Sequence, residues 1–350
     1  MSSSCQQPDI TVLLPAYNAE PFITEAVMSI LQQSYTNFVL LIIDDGSTDR
    51  TGEILEDLAS RDSRIALYRR ENRGLIATLN EGLSLCRTEL VARMDADDIA
   101  LPDRLVMQKD FMDAHPEVAV CGTCCIFHES NEVWRYPFDT PMDILFLFNA
   151  SLIHPSVMFR RSIIRDVGGY HTDMVAAEDY ELWVRLLSQG VQLVNLATPL
   201  LRYRQHPHMP RLSYRFTAEQ STRKIWRQQL SRLGIDATER ELDVHAFCAS
   251  PCRETRAGLR RVSQWLRRIC DANKLTKIYD QEKLEARCRA MQNAFPPPLD
   301  WAREPRAWFA RQCRHLIFAV CRTLGPVGEK VLWAMKKHVL AQRHRDKQHI

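Results

Sequence analysis

The chain has 350 residues, 45% of them hydrophobic and 25% charged, values that exclude disordered and fibrous proteins and leave room for two domains. Its net charge of +3 hides a division: residues 1–210 hold 17 basic and 29 acidic side chains, while residues 211–350 hold 29 basic and 14 acidic ones. An acidic half suits metal or sugar chemistry, and a basic half suits an anionic surface.

Met1–Asp9 is polar and lacks the apolar core of a secretory signal, and no apolar run reaches the roughly 18–20 residues that span a bilayer. The 11 cysteines are scattered and odd in number, which does not read as a disulfide framework. These readings predict a cytoplasmic protein. Cys121, Cys124 and Cys125 form a C-x-x-C-C without a second ligand pair at zinc spacing, so they are read as small apolar residues of a buried strand around Gly122.

In chain order, Ile10–Pro15 reads as a short strand and Ala19–Gln33 as an amphipathic helix. Phe38–Ile43 is a continuous apolar run of the kind buried in a parallel sheet. It ends in the turn Asp44-Asp45-Gly46-Ser47, which starts a helix over Asp49–Ser60. Arg64–Tyr68 is a third strand, Leu75–Cys86 a third helix, and Leu90–Met94 a fourth strand that runs into Asp95. Repeated strand–helix units imply an α/β fold with a doubly wound parallel sheet, whose ligands gather beyond the carboxyl ends of the strands. Tyr17-Asn18, Asp44-Asp45 and Asp95–Asp98 all stand at such ends. Further on, Val118–Cys124, Ser156–Arg160, Gln192–Leu196 and Leu200–Tyr203 are strand-like, and Tyr180–Ser188 is helical. Beyond residue 210, Ala218–Leu233, Glu254–Asn273 and Gln281–Gln292 have helical periodicity and many arginines and lysines, with a stiff connection near 294–300 at Pro296–Pro298.

The chemistry concentrates in Met94-Asp95-Ala96-Asp97-Asp98. Closely spaced carboxylates on a tight loop repel one another unless a cation shares them, so this D-x-D invites Mg2+ or Mn2+. Such an ion neutralises a diphosphate leaving group. Glu178-Asp179 precedes the apolar stripe Leu182, Trp183 and Leu186, where a carboxylate at a helix start is held by backbone N–H groups. That placement suits a base that takes a proton from an acceptor hydroxyl, and it equally suits an N-cap. Trp183 is read as a core residue, His154-Pro155-Ser156 as a turn, and Gly168-Gly169-Tyr170 as either a mobile acceptor loop or a plain turn.

Pro15-Ala16-Tyr17-Asn18, Asp44-Asp45-Gly46-Ser47-Thr48-Asp49, Asn72-Arg73-Gly74, Asp95-Ala96-Asp97-Asp98 and Glu178-Asp179-Tyr180-Glu181-Leu182-Trp183 occur in that order. Over about residues 8–207 the chain thus resembles glycosyltransferase family 2, inverting enzymes with the GT-A fold. The resemblance implies a Rossmann-like, mostly parallel sheet flanked by helices over 1–210, followed by a basic α-helical region over 211–350. It implies that Pro15, Tyr17 and Asn18 line the nucleotide pocket, with Tyr17 against the base. By the same resemblance, Asp45 accepts a hydrogen bond from a uracil-like ring with Asp44 beside it, and an arginine of 69–73 touches the nucleotide. Asp95 then faces the ribose and donor sugar, Asp97 holds Mn2+ or Mg2+, and Asp179 is the catalytic base; His206 either completes the metal site or is a loop histidine without a role.

The implied reaction moves a sugar from a nucleoside-diphosphate donor, a UDP-hexose or UDP-N-acetylhexosamine, to a hydroxyl of a glycan or lipid-linked acceptor in cell-surface polysaccharide or lipid-linked glycan synthesis. A nucleotidyltransferase on a related sheet needs a glycine-rich G-x-G-x-R loop after strand one, and Pro15–Glu20 has no glycine. A non-catalytic scaffold has no physical reason to keep mutually repelling carboxylates at 95, 97 and 179. In the basic region, residues 306–345 form an amphipathic basic helix pair suited to an anionic membrane surface or to docking on the catalytic domain. No zinc module, recognition-helix pattern or aromatic RNA platform accompanies the charge, so nucleic acid is not an expected partner.

Overall fold

The computed structural model describes residues 7–205, 212–249 and 256–295. His206, most of the 294–300 connection and the basic segment 306–345 lie outside these residues. The chain divides into two units, Met1–Pro207 and His208–Ile350.

The first unit opens with alternating elements: β1 (Ile10–Ala16), α1 (Ile23–Leu31), β2 (Phe38–Asp44), α2 (Thr51–Arg61), β3 (Ile65–Arg69), α3 (Leu75–Leu85) and β4 (Leu90–Arg93). There follow β5 (Ile99–Ala100), α4 (Arg104–Ala114), β6 (Val118–Phe127), β7 (Val133–Trp134) and α5 (Met142–Phe146). A 3-10 turn (His154–Ser156) then leads to β8 (Met158–Arg160), α6 (Arg161–Asp166), α7 (Glu178–Ser188) and β9 (Gln192–Tyr203). All nine strands join one sheet in the order β3-β2-β1-β4-β8-β6-β9-β5, with β7 on β6.

The helix-linked strands β1, β2, β3 and β4 pair in parallel, as right-handed crossovers require. Their inward residues Ile10, Val12, Leu14, Leu40, Ile42, Leu90 and Ala92 form the core. β2 is buried along both faces, which is why Phe38–Ile43 is apolar without alternation. The sheet is mostly parallel, as expected, and becomes mixed beyond β4. There β8 runs antiparallel to both β4 and β6, β7 antiparallel to β6, and β5 antiparallel to β9, while β6 and β9 are parallel. β9 is one irregular strand, because register shifts against β6 absorb the break at Ala197-Thr198-Pro199 that divides its sequence into two apolar runs. α4 has no apolar stripe to reveal it: its buried face carries Arg104 and Gln108 beside Leu105 and Met112.

The second unit contains α8 (Leu212–Arg232), α9 (Glu239–Ala249), α10 (Arg256–Thr276) and α11 (Gln281–Asn293). α10 turns Val262, Trp265, Leu266 and Ile269 inward, and Trp265 Nε1 donates to the buried His245 Nδ1 at 3.1 Å. Part of the basic excess is consumed internally, since Arg223 alone pairs with Glu219, Glu239 and Asp243. Among the described residues no helix is long and apolar enough to cross a membrane.

Candidate active site

Because β2, β1 and β4 are parallel neighbours, their carboxyl ends deliver three polar segments to one rim. Ala16 at the end of β1 lies in register with Asp44 at the end of β2. The turn that follows requires glycine: Gly46 has φ +75°, and a Cβ there would stand 2.6 Å from Asn72 N. Asp44 accepts from Ser47 N at 3.0 Å and from Arg69 Nε at 3.1 Å. Asp45 accepts from Arg73 N and Gly74 N, each at 2.8 Å, and from the Arg70 guanidinium. Both carboxylates are buried, and Asp45 clasps the Arg73-Gly74 segment against the turn. Arg69 is further paired with Glu56 and Arg70 with Glu81, and Arg73, like Arg69, is exposed.

Pro15 is buried within β1, past the point where pairing with β4 ends at Leu13, so the ladder tolerates its missing N–H and the open rim falls to the next residues. Tyr17 is 51% exposed. Asn18, at φ 49°, ties the two turns together: its N–H donates to Ser47 Oγ at 3.0 Å and its Oδ1 accepts from Thr48 N at 2.8 Å.

At the end of β4, carboxylate oxygens of Asp95, Asp97 and Asp98 all lie within 4.8 Å of one another. Asp98 is buried, accepts from Arg204 N at 2.8 Å, and leaves Oδ2 buried without a partner. Burial, aided by the charge of Asp95, pushes the Asp98 carboxyl up to about 8. Three converging carboxylates with an orphaned buried oxygen are a donor set that suits a hard divalent cation. The loop is braced from the end of β9, where Arg204 Nε donates to Asp97 O at 2.9 Å and Nη2 to Glu25 at 3.0 Å. His206, two residues on, lies outside the described residues.

Ala177 is the N-cap of α7, so Glu178 and Asp179 occupy its first turn and do not cap it. Asp179 Oδ1 accepts from Tyr180 N at 2.7 Å. Burial raises the Asp179 carboxyl above its ordinary range, and burial together with the neighbouring Asp179 raises Glu178 to about 7. The Gly168-Gly169 turn before the helix is anchored on both sides, as a plain turn would be. Asn80 binds the N–H and C=O of Tyr170, and Arg185 donates to Val167 O and Gly169 O. His154 is buried, its pKa held well below the ordinary value by burial, and its Nε2 meets Tyr170 OH at 2.9 Å. Trp183 is fully buried in the core, as are the cysteines of β6.

Sequence reasoning missed Arg93, Asn80 and Arg204, and it named Asp98 within the acidic cluster without giving it a role of its own. Arg93 had a signal, a cation inside the otherwise apolar Leu90–Arg93 strand; Asn80 and Arg204 pair across 90 residues or more and have none.

Comparison with known proteins places this geometry among sugar transferases. The sequence model described as Glycosyl transferase family 2 matches residues 11–168, and that described as Glycosyl transferase family group 2 matches residues 90–273. An uncharacterized glycosyltransferase of Haemophilus influenzae is 31% identical over 248 residues, covering 65% of this chain and 76% of the relative. The O-antigen biosynthesis glycosyltransferase WbnJ of Escherichia coli is 30% identical, covering 56% and 80%. Among solved structures, residues 1–349 of S. aureus TarS in complex with UDP-GlcNAc align with a TM-score of 0.55 at 16% identity, covering 83% of this chain and 94% of that one. The mannosyltransferase PcManGT from Pyrobaculum calidifontis, in complex with GDP-Man and Mn2+, aligns with a TM-score of 0.55 at 18% identity, covering 96% and 86%. At such identities the likeness shows the fold, which is GT-A.

Proposed function

We propose that this chain, which belongs to glycosyltransferase family 2, is an inverting, metal-dependent enzyme that moves a hexose or N-acetylhexosamine from a UDP donor to a hydroxyl acceptor. The observation that carries this reading is the convergence of Asp95, Asp97 and Asp98 on one point of the rim formed by β1, β2 and β4. Two structural neighbours hold nucleoside-diphosphate sugars, UDP-GlcNAc and GDP-Man, and one holds Mn2+. The acceptor is a glycan or lipid-linked glycan of cell-surface polysaccharide synthesis, a reading supported by the O-antigen relative.

In this reading the domain that performs the transfer is 1–210, and Tyr17 packs on the base beside the Asp44–Asp45 turn. Asp45 takes the uracil N–H, with Asn18 holding the turn in place and Arg73 reaching the nucleotide. Asp95 faces the ribose and donor sugar. Asp97 and Asp98, with His206, would hold Mn2+ or Mg2+. The chemistry such an ion supplies when bound is charge neutralisation on the departing diphosphate. Asp179 accepts the proton of the acceptor hydroxyl as that oxygen attacks the anomeric carbon from the side opposite the leaving group. Its burial raises its proton affinity toward the working pH, which suits a general base.

A panel of UDP-, GDP- and dTDP-sugars, assayed for nucleotide release with Mn2+ or with EDTA, tests the reading. Metal-dependent release from a UDP-sugar alone is expected; release from GDP- or dTDP-sugars in its place overturns the donor assignment, and full release in EDTA overturns the metal. Liposome flotation of the full chain and of a form ending near Pro296 tests the further proposal that residues 306–345 contact anionic membrane; equal binding by both lengths removes it.

A further inference from the structure

Arg93 closes β4, and its Nη2 donates to Asp95 Oδ1 at 2.5 Å. Only 2% of the residue is exposed, and its Nε and Nη1 are buried with no hydrogen-bond partner. A guanidinium in that state is costly unless anionic surroundings offset the loss of water. Arg104, equally buried behind the same strand, shows the ordinary alternative: its nitrogens donate to Arg93 O, Gln108 Oε1 and Met94 Sδ, which makes it a structural brace.

The surroundings of Arg93 join the two carboxylate motifs. Its own N–H donates to Val157 O at 2.9 Å, just past the His154–Ser156 turn. The His154 ring stands edge-on to Trp183, with centroids 6.1 Å apart. Trp183 lies four residues after Asp179 on α7, hence on the same helix face. β4 and α7 therefore both pack against this turn, on the helix face that carries Asp179 one turn earlier. The charge of Arg93 acts there on Asp95, Asp98, Glu178 and Asp179.

We propose that Arg93 is a positioning residue for sugar transfer: its guanidinium holds the donor-side carboxylate of Asp95 and the acceptor-side pair Glu178–Asp179 in one pocket, as a fixed cation supplied by the chain itself. The inference rests on the roles given above to Asp95 and Asp179. It differs from a metal role, because the cation is a buried side chain paired with Asp95, and its field extends to the α7 carboxylates. It also differs from a base-binding role, because Asp44, Asp45 and Tyr17 belong to the neighbouring segments of the rim.

The test compares Arg93→Met, which removes the charge at similar length, with Arg93→Lys, which keeps it. For each variant kcat, KM for the UDP-sugar and calorimetric UDP affinity are measured beside wild type. Arg93→Met is expected to keep UDP affinity within about threefold and to lose about 100-fold or more in kcat, the scale seen when one preorganised polar group is removed from a reacting site. Arg93→Lys is expected to recover at least about tenfold of that loss, since the field survives although the fork does not. A kcat for Arg93→Met within about threefold of wild type overturns the proposal. So does an Arg93→Lys enzyme no faster than Arg93→Met, or a fall in UDP affinity that matches the fall in kcat. Should Arg93→Met fail to fold, Arg93→Gln, which is also neutral but keeps a polar side chain, takes its place and is judged by the same outcomes. A wild-type enzyme inert with every nucleotide sugar would instead defeat the underlying transferase reading, an outcome distinct from all of these.

Discussion

Asn80 on α3 grips both backbone polar groups of Tyr170, its Nδ2 donating to the carbonyl at 2.8 Å and its Oδ1 accepting the N–H at 2.9 Å. This bidentate clasp, made across 90 residues, fixes the turn that leads into α7. The turn needs glycine at 169, where φ is +69° and a Cβ would stand 2.6 Å from Asn80 Oδ1. Asn80→Ala therefore leaves two groups of the 2%-exposed Tyr170 without partners, a loss of about 2–3 kcal/mol in unfolding free energy by urea titration. An unchanged urea midpoint would show that water replaces the clasp.

Asp97→Asn removes a carboxylate from the convergent trio without changing its shape. Metal-stimulated transfer is expected to fall by about 100-fold or more, with residual activity insensitive to Mn2+ between EDTA and millimolar metal. Undiminished, metal-responsive turnover would move the ion to other ligands.

The parallel half of the sheet was legible because β1 to β4 are separated by helices with clear apolar periods, and because the buried Phe38–Ile43 run has no polar face to hide. The pairing of the antiparallel half was not legible. Ser156–Arg160 reads as strand-like and contains the three-residue β8, but β5 and β7 have two residues each, too short for any period, and β5 and β8 pair with strands distant in sequence. The rim acids were found because repulsion between neighbours in sequence is itself a signal. What lies behind them is tertiary: Arg93 reads as an oddity in a strand until its ion pair with Asp95 is seen, and Arg204 meets Asp98 only after 106 residues. Asn18, expected to line the nucleotide pocket, also accepts from Thr48 N through its amide oxygen, a turn–turn bond invisible in either segment alone.

The raised Asp98 carboxyl has a consequence for stability. With a folded pKa of about 8 against an ordinary 3.8, the folded state keeps a proton that the unfolded state has released across that window. Stability from this group is therefore lost as pH rises from about 4 to about 8, because the unfolded chain binds fewer protons there. In EDTA, the thermal midpoint of the wild type should fall more between pH 5 and pH 8 than that of Asp98→Asn, which has no such proton. Mn2+ should raise the midpoint most at the alkaline end, where it replaces the proton. Parallel pH trends for the two proteins in EDTA would remove Asp98 as the source.

Asp179 must be ionised to accept a proton, and burial raises its pKa above 3.8. The transfer rate should accordingly fall as pH drops through a limb lying above the ordinary aspartate range, and be flat above it until another group intervenes. Glu178 stands beside it at about 7, and ionisation of either carboxyl raises the proton affinity of its neighbour, so the limb belongs to the pair. Asp179→Asn keeps the helix start and the polar shape but cannot take the proton. Its kcat should fall by about 100- to 10,000-fold, with UDP affinity by calorimetry unchanged. Glu178→Gln separates the two contributions: it removes the neighbouring charge and should shift the limb to lower pH while leaving the plateau rate within about tenfold. An Asp179→Asn enzyme with wild-type kcat, or a Glu178→Gln enzyme as inert as expected for Asp179→Asn, would transfer the role of base to Glu178.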